Sequence, residues 1–205
     1  MSLGSVDRIV YVAGGLLAYT TLAVLFYGIW SGIQRQVGLT TGRTGIWLRS
    51  PWFYLITSAL FFGVCYFGWK PLPLSGSQST RVWLLALGSL LYFPGMSLAL
   101  WARLTLGKNY FPSTGLGVQL FAGHQLVTSG PFAILRHPMY AGLILAALGG
   151  LLIYMTWTTL FLACFAPLIA FRARREEAAL ALEFGEQWQV YCQRVPMWIP
   201  RRISI

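Results

Sequence analysis

Long apolar runs separated by short clusters of charge constrain this chain more than any other feature. Hydrophobic residues make up 57% of the sequence and charged residues only 10%, a balance typical of integral membrane proteins. A run of about twenty apolar residues crosses the hydrocarbon core as a helix. The pattern predicts an all-α integral membrane protein with about five transmembrane helices: Ile9 to about Trp30, Trp52 to about Trp69, Val82 to about Trp101, Pro138 to about Tyr154, and Trp157 to Phe171.

The last two predicted helices are short and separated only by Met155 and Thr156, so they are expected to form a tight helical hairpin. Pro94 and Gly95 predict a kink in the third helix. We expect a single membrane domain over residues 1–205, with three N-terminal spans in residues 1–101 and a catalytic, cofactor-binding region in residues 102–205.

The basic residues predict the orientation in the membrane. The net charge of +10 would suggest nucleic acid for a soluble domain, but these charges lie in short loops beside apolar runs, where they determine topology. Arg35, Arg43 and Arg49 precede the second span. Together with the long loop and the C-terminal tail they place twelve basic residues on one side, against three on the other. We therefore expect a multi-pass protein with its N-terminus outside, its C-terminus cytoplasmic and no nucleic-acid partner.

Two motifs carry the polar residues that can do chemistry. Leu126 to Gly142 reads LVTSGPFAILRHPMYAG, and Arg174 to Pro196 reads RREEAALALEFGEQWQVYCQRVP. Pro138 is suited to the first position of a helix, where its missing N–H costs nothing. Arg136 and His137 then lie at a helix N-terminus, which favours anions. Because the predicted hairpin separates the motifs, both should meet at the cytoplasmic face as a pocket for a zwitterion.

The segment from Ala102 to Leu135 is too long for a simple connection, and loops of that length are usually functional or disordered. Its apolar residues favour packing on a membrane face or over a pocket: Tyr110, Phe111, Leu116, Val118, Leu120 and Phe121.

The three cysteines are widely spaced and predict neither a disulfide framework nor a metal site.

The two motifs, together with LGKNY at Leu106 to Tyr110, resemble those of the isoprenylcysteine carboxyl methyltransferases and their bacterial and archaeal relatives, with the phospholipid N-methyltransferases as more distant kin. The resemblance covers roughly Leu104 to Pro200. It implies S-adenosylmethionine as the cofactor, bound by the C-terminal half, and a lipophilic or lipidated acceptor that arrives from the membrane lipid.

By this resemblance, Arg136 and Asn109 are the candidate catalytic residues, with Arg136 orienting an acceptor carboxylate through two-point hydrogen bonds. Phe184, Trp188 and Tyr191, at i, i+4 and i+7, should share one helical face. The candidate cofactor-binding residues are Leu126, Val127, Gly130, His137, Tyr140, Glu176, Glu177, Trp188 and Tyr191.

Structural explanations remain open for the individual residues. Arg136 could extend to the membrane interface, and His137 could only cap a helix. Glu176 could only pair with Arg172, its i, i+4 neighbour. The aromatic face could be ordinary packing. His124 is expected on a surface loop, and Asn109 could only form a turn.

Other functions remain open as well. The chain ends in a pattern similar to that of membrane sterol reductases, which use NADPH. A phospholipid amine is an alternative acceptor, and a non-catalytic lipid-binding module is the third alternative. The sequence leaves the acceptor and the oligomeric state undetermined.

Overall fold

The computed structural model describes residues 3–34, 37–42, 50–74, 76–110, 113–114 and 117–199. Three 3₁₀ turns, Gly107–Asn109, Gly130–Ala133 and Ala166–Leu168, connect longer elements. Those elements, in chain order, are α1 Leu3–Ile33, β1 Val37–Gly42, α2 Pro51–Phe67, α3 Gln78–Leu106, β2 Ser113–Thr114, β3 Gly117–Phe121, α4 Pro138–Tyr154, α5 Trp157–Phe165, α6 Ile169–Phe184 and α7 Glu186–Arg194.

The predicted apolar helices are all present as helices. The first and third are several residues longer than predicted, and α4 has the predicted bounds. In the described part of the chain, two helices are long and apolar enough to cross a membrane, Gly4–Gly32 and Gln78–Asn109. Helices α2 and α4 are apolar but shorter. The count of five membrane spans therefore stays a prediction.

The fifth predicted helix differs from the expectation. Helix α5 ends at Phe165, and a 3₁₀ turn containing Pro167 leads into α6. Since proline lacks an N–H and disturbs the turn before it, the regular helix is interrupted there. Helix α6 then continues past Phe171 and carries the predicted glutamate pair.

Glycines allow α3 and α4 to pack with their backbones in contact. A Cβ added to Gly95 would lie 2.7 Å from the Gly142 carbonyl oxygen, and one added to Gly149 would lie 2.4 Å from the Tyr92 nitrogen. Such distances leave no room for any side chain. Around these contacts Tyr92, Met96 and the fully buried Ile153 form the main apolar core. Helix α3 is continuous through Pro94, and the kink predicted there stays a prediction.

The predicted hairpin between α4 and α5 is confirmed. Met155 closes α4 in the left-handed region with φ of 48°. Thr156 begins α5 with a reciprocal capping box to Thr159, an arrangement that satisfies helix-end N–H groups. The N–H of Trp157 donates to the Lys70 carbonyl oxygen at 3.1 Å, and the N–H of Thr158 donates to that of Gly68 at 2.9 Å. The start of α5 is therefore bonded to the segment that directly follows α2.

A short antiparallel sheet with strand order β1-β3-β2 packs on α6. Val118 and Leu120 of β3 are buried against Ala179, and Leu180 packs beside them. These described residues of the long loop thus pack on α6, and the expected packing on a membrane face or over a pocket stays a prediction for them. The prediction of an all-α protein did not include this sheet, because β1 pairs with a strand far along the chain.

Several residues used in the sequence predictions lie outside the described residues. They are Arg35, Arg43, Arg49, Phe111, Leu116, Arg201 and Arg202.

Candidate active site

The first motif forms the start of α4 as predicted. His137 is the N-cap residue and Pro138 is at the first helical position. The N–H of Ala141 donates the first helical hydrogen bond, to His137 O at 3.0 Å. The N–H of Met139 precedes that bond, at the helix end that favours negative charge. The backbone N–H of Arg136 donates to Pro196 O at 2.9 Å, so the ends of the two motifs are joined directly.

Glu177 connects both polar residues of the first motif. Its Oε1 lies 3.1 Å from Arg136 Nε and 3.2 Å from His137 Nε2. The buried Arg136 Nε makes no hydrogen bond, so its pair with Glu177 is electrostatic.

Glu176, one residue earlier, faces a different set of partners. The Tyr140 hydroxyl donates to Glu176 Oε1 in a buried contact. Arg172 Nε lies 3.9 Å from the same oxygen, which bears out the predicted i, i+4 pair. Glu176 is 8% exposed. Because a buried carboxylate needs compensating partners, the tyrosine hydroxyl and the guanidinium together account for its position.

Aromatic rings surround these charges. The rings of His137 and Tyr140 stack with centroids 5.7 Å apart and an interplanar angle of 8°. The Arg136 guanidinium lies 5.8 Å from the Trp188 ring centroid. The Tyr191 hydroxyl donates to Phe132 O at 2.7 Å. Burial raises the pKa of Tyr191, so this hydroxyl stays protonated and holds α7 against the first motif.

The three aromatic residues predicted to share a helical face lie on two helices. Gly185, with φ of 50°, ends α6 and begins α7, so Phe184 is not on the same helix as Trp188 and Tyr191. The prediction of one continuous helical face is wrong at this glycine. The three rings nevertheless belong to one apolar cluster with Leu126 and Val195.

A cleft lies between the start of α4, α6 and α7, with about 560 Å³ of empty space that includes its opening to solvent. Most of the sequence-predicted site residues line it: Leu126, Val127, Arg136, His137, Tyr140, Glu176, Trp188 and Tyr191.

Three predicted residues do not line the cleft. Glu177 lies behind Arg136 and His137 and binds both. Gly130 has φ of 59°, and a Cβ there would lie 3.2 Å from Thr105, so it shapes the loop. Asn109 Oδ1 accepts a hydrogen bond from the Gln125 N–H at 3.2 Å. Gln125 lines the cleft. Through this loop contact, Asn109 therefore positions one edge of the cleft.

Sequence reasoning missed several residues of the cleft. His124 was expected on a surface loop, but it lines the cleft and its ring lies 5.9 Å from that of Phe184. Burial lowers the pKa of His124 to about 4, so its ring is neutral at physiological pH. Its position next to the first motif was the available signal. The other missed residues are Leu106, Gln125, Phe132, Met139 and Leu180.

A positively charged cluster lies beside Glu176, on the side of Arg172. Arg103 of α3 is 5% exposed, and its guanidinium lies 4.2 Å from the Tyr110 ring centroid. Burial raises the pKa of Tyr110, whereas the charges of Arg172 and Arg103 act to lower it. The charges of two guanidinium groups and of one carboxylate, Glu176, therefore act on Tyr110.

The sequence model of the isoprenylcysteine carboxyl methyltransferase (ICMT) family matches residues 88–182, which include α4, the cleft loop and most of α6. Over this stretch, just under half of its length, the chain is similar to that family. A Schizosaccharomyces pombe protein-S-isoprenylcysteine O-methyltransferase is 37% identical over 79 residues, covering 38% of this chain and 34% of the relative. An Arabidopsis thaliana protein-S-isoprenylcysteine O-methyltransferase B is 30% identical over 122 residues, 58% of this chain and 60% of the relative. The chain thus spans between about a third and 60% of the length of these two relatives.

A solved structure of the eukaryotic intramembrane Ras methyltransferase ICMT superposes on the chain with a TM-score of 0.50. Its identity is 26%, and the match covers 74% of this chain and 53% of that one. This similarity and the two long apolar helices identify a membrane protein.

Another relative is similar over most of its length. The cobalt-zinc-cadmium resistance protein CzcN of Cupriavidus metallidurans is 31% identical over 175 residues, 83% of this chain and 70% of the relative. In the part of the chain that the structure describes, no group of three or more His, Cys, Asp or Glu residues could hold a metal ion.

Proposed function

We propose that this protein is an S-adenosylmethionine-dependent methyltransferase that acts on a lipophilic acceptor with a carboxylate like that of isoprenylcysteine. The observation that carries the proposal is the joined cluster at the start of α4. There Glu177 contacts Arg136 and His137, and Glu176 contacts Tyr140 and Arg172. Similarity to the ICMT family supports this reaction class, and the named relatives are protein-S-isoprenylcysteine O-methyltransferases.

The donor groups fit S-adenosylmethionine. An amino-acid zwitterion needs a carboxylate for its ammonium group and N–H groups or a cation for its own carboxylate. Glu176 would take the ammonium group. The Met139 N–H and the half-buried end of Arg136 would face the carboxylate. Leu126, Val127 and the neutral ring of His124 would line the uncharged end of the cleft, which suits an adenine.

Bound S-adenosylmethionine would supply an electrophilic methyl group on a sulfonium. The chain's own residues would exclude water and hold the acceptor. Transfer from a sulfonium to a carboxylate disperses charge, so the apolar and aromatic walls around Trp188 and Tyr191 favour the step by keeping it away from water. No residue needs to remove a proton, because a carboxylate is already deprotonated.

Two places could bind the acceptor carboxylate. The predicted one is Arg136, whose side chain lines the cleft. The cluster at Tyr110 is the other, because the charges of Arg103 and Arg172 exceed that of Glu176. A guanidinium remains charged at any physiological pH, so either site positions the acceptor and does not exchange protons.

Calorimetry tests the proposal with purified protein in detergent. S-adenosylmethionine and its demethylated product should bind with 1:1 stoichiometry and raise the melting temperature, since a ligand of the folded state stabilises it. NADPH serves as the parallel ligand, because the mouse Delta(14)-sterol reductase TM7SF2 is 31% identical over 84 residues, 36% of this chain and 18% of that protein. No heat of binding at millimolar S-adenosylmethionine, or tighter binding of NADPH, contradicts the proposal.

A further inference from the structure

Helix α6 presents an exposed apolar stripe on the side opposite the cleft. Phe171 is 61% exposed and Leu182 is 73% exposed. Leu168, in the turn just before α6, is 52% exposed. Four exposed residues follow the i, i+4, i+7, i+11 spacing of a single helical face: Phe171, Arg175, Ala178 and Leu182. The buried residues Ala173, Glu176 and Ala179 lie on the other side of α6.

The exposed charges between Phe171 and Leu182 are of one sign. Arg174 and Arg175 are exposed between Phe171 and Leu182. The neighbouring acids Glu176 and Glu177 point away from the stripe, since they contact Tyr140, Arg136 and His137. The remaining acids on α6 and α7 are Glu183 and Glu186, which are exposed at the far end of α6.

We propose that the outer face of α6 binds anionic phospholipid, with Arg174 and Arg175 on the headgroup and Leu168, Phe171 and Leu182 against the acyl chains. Apolar side chains alone would suit any lipid, but two exposed arginines favour a negatively charged headgroup by charge complementarity. An exposed stripe of this kind, with basic residues beside it, is typical of helices that lie in the membrane interface.

The position of α6 along the membrane agrees with this occupant. Tyr140, at the start of α4, contacts Glu176, so Arg174 and Arg175 lie level with the end of an apolar helix. Headgroups occupy that depth. Leu182 is two turns further along, roughly 10 Å from Arg175 by helix rise. It reaches the same lipids when α6 lies along the interface, with Phe171 and Leu182 against the acyl chains and the long side chain of Arg175 extended to the headgroups.

One consequence concerns the cleft and rests on the proposed function. Glu176 and Glu177 project from the same helix as Arg174 and Arg175, so lipid on the outer face would fix the position of the cofactor-binding carboxylates. S-adenosylmethionine affinity should then be higher in vesicles containing phosphatidylglycerol than in vesicles of phosphatidylcholine alone.

Native mass spectrometry tests the lipid surface without depending on catalysis. Delipidated full-length protein is mixed with phosphatidylglycerol or phosphatidylcholine of the same acyl chains, and bound lipids are counted. Wild type should prefer phosphatidylglycerol. The double variant Arg174→Gln/Arg175→Gln should lose roughly five-fold in affinity for each arginine, about 25-fold together. Equal binding of the two lipids by wild type, or an unchanged preference in the double variant, overturns the proposal.

Control variants separate this surface from general charge effects. Arg8→Gln removes one exposed charge near the start of α1 and should keep the preference. Arg174→Lys/Arg175→Lys keeps both charges and should also keep it, even if the glutamine variant unfolds; loss of preference in the lysine variant counts against headgroup charge recognition. Glycerol 3-phosphate should not displace the lipid, and displacement would indicate a phosphate site without acyl-chain contacts, which overturns the lipid proposal.

Discussion

Glu177 Oε1 lies 3.1 Å from Arg136 Nε, and this contact joins a residue of the first motif to one of the second. The same oxygen lies 3.2 Å from His137 Nε2. Glu177 therefore holds the orientation of Arg136, although it does not line the cleft itself. The sequence predicts Glu176 and Glu177 as candidate cofactor contacts without choosing between them, and in the structure Glu177 contacts the two cleft residues Arg136 and His137.

Substitutions of Arg136 should separate acceptor positioning from cofactor binding. Arg136→Ala should abolish turnover while cofactor affinity stays within a few-fold. Arg136→Lys should restore little activity, because an ammonium cannot reproduce the planar two-point contact. Initial rates and calorimetry measure the two effects, with Arg194→Ala as an exposed control. Near-normal turnover of Arg136→Lys would contradict the role assigned to Arg136 and favour the cluster at Tyr110.

Neutralising Glu176 should weaken cofactor binding. A hydrogen bond to a charged group contributes about 1.5–3 kcal/mol, so Glu176→Gln should lose roughly ten- to a hundred-fold in S-adenosylmethionine affinity. Tyr140→Phe removes only the hydroxyl that donates to Glu176, and it should lose less, because the carboxylate keeps Arg172. Isothermal calorimetry measures both. Unchanged affinity in Glu176→Gln would mean that this residue only pairs with Arg172.

Gly149→Ala should strongly destabilise the fold, because its Cβ would lie 2.4 Å from the Tyr92 nitrogen, an atom of the backbone. Overpacking of this kind costs about 1–3 kcal/mol or more. Gly15→Ala is the matched control, since it is also in a helix and has no atom within 4 Å of the added Cβ; it should be neutral or slightly stabilising. Melting temperatures in detergent compare them, and equal values for the two variants would show that α3 and α4 can separate.

His124 should contribute to the pH dependence of stability. Its pKa in the folded protein, about 4, is below the ordinary value of 6.5, so the unfolded chain binds a proton first. His124 therefore leaves the free energy of unfolding unchanged above pH 6.5 and lowers it as the pH falls towards 4. His124→Phe should therefore reduce the fall in stability over that window by about 1–2 kcal/mol, allowing for partial exposure. Melting curves of wild type and His124→Phe are measured between pH 6.5 and pH 4. An equal loss of stability in the two proteins would mean that His124 is exposed to solvent.

Cysteine labelling tests the predicted orientation in the membrane. Single cysteines replacing Lys108 and Ser77, which lie at opposite ends of α3, should react from opposite sides of oriented vesicles. We expect Lys108→Cys to be accessible from the cytoplasmic side and Ser77→Cys from outside, following the excess of basic residues. Native cysteines are first replaced by alanine. Cytoplasmic labelling at position 77 would refute the predicted topology.

Much of the helical architecture follows from the sequence alone. Apolar length determines where α1, α2, α3 and α4 lie, because only a continuous run of such residues can be shielded from water along a whole helix. Pro138 and the preceding Arg136 and His137 define the start of α4, since the rules for a helix N-terminus are local. The resemblance of both motifs to one family likewise depends only on residue identity and spacing.

Only the tertiary structure decided what depends on distant pairing. Strand β1 is recognisable as a strand through its partner β3, and short strands carry little periodic signal of their own. Gly185 breaks the helix between Phe184 and Trp188, and packing then brings their rings together again. The tertiary structure also decides the different contacts of Glu176 and Glu177. Neighbouring residues in a helix point about 100° apart, so Glu176 faces Tyr140 and Glu177 faces Arg136.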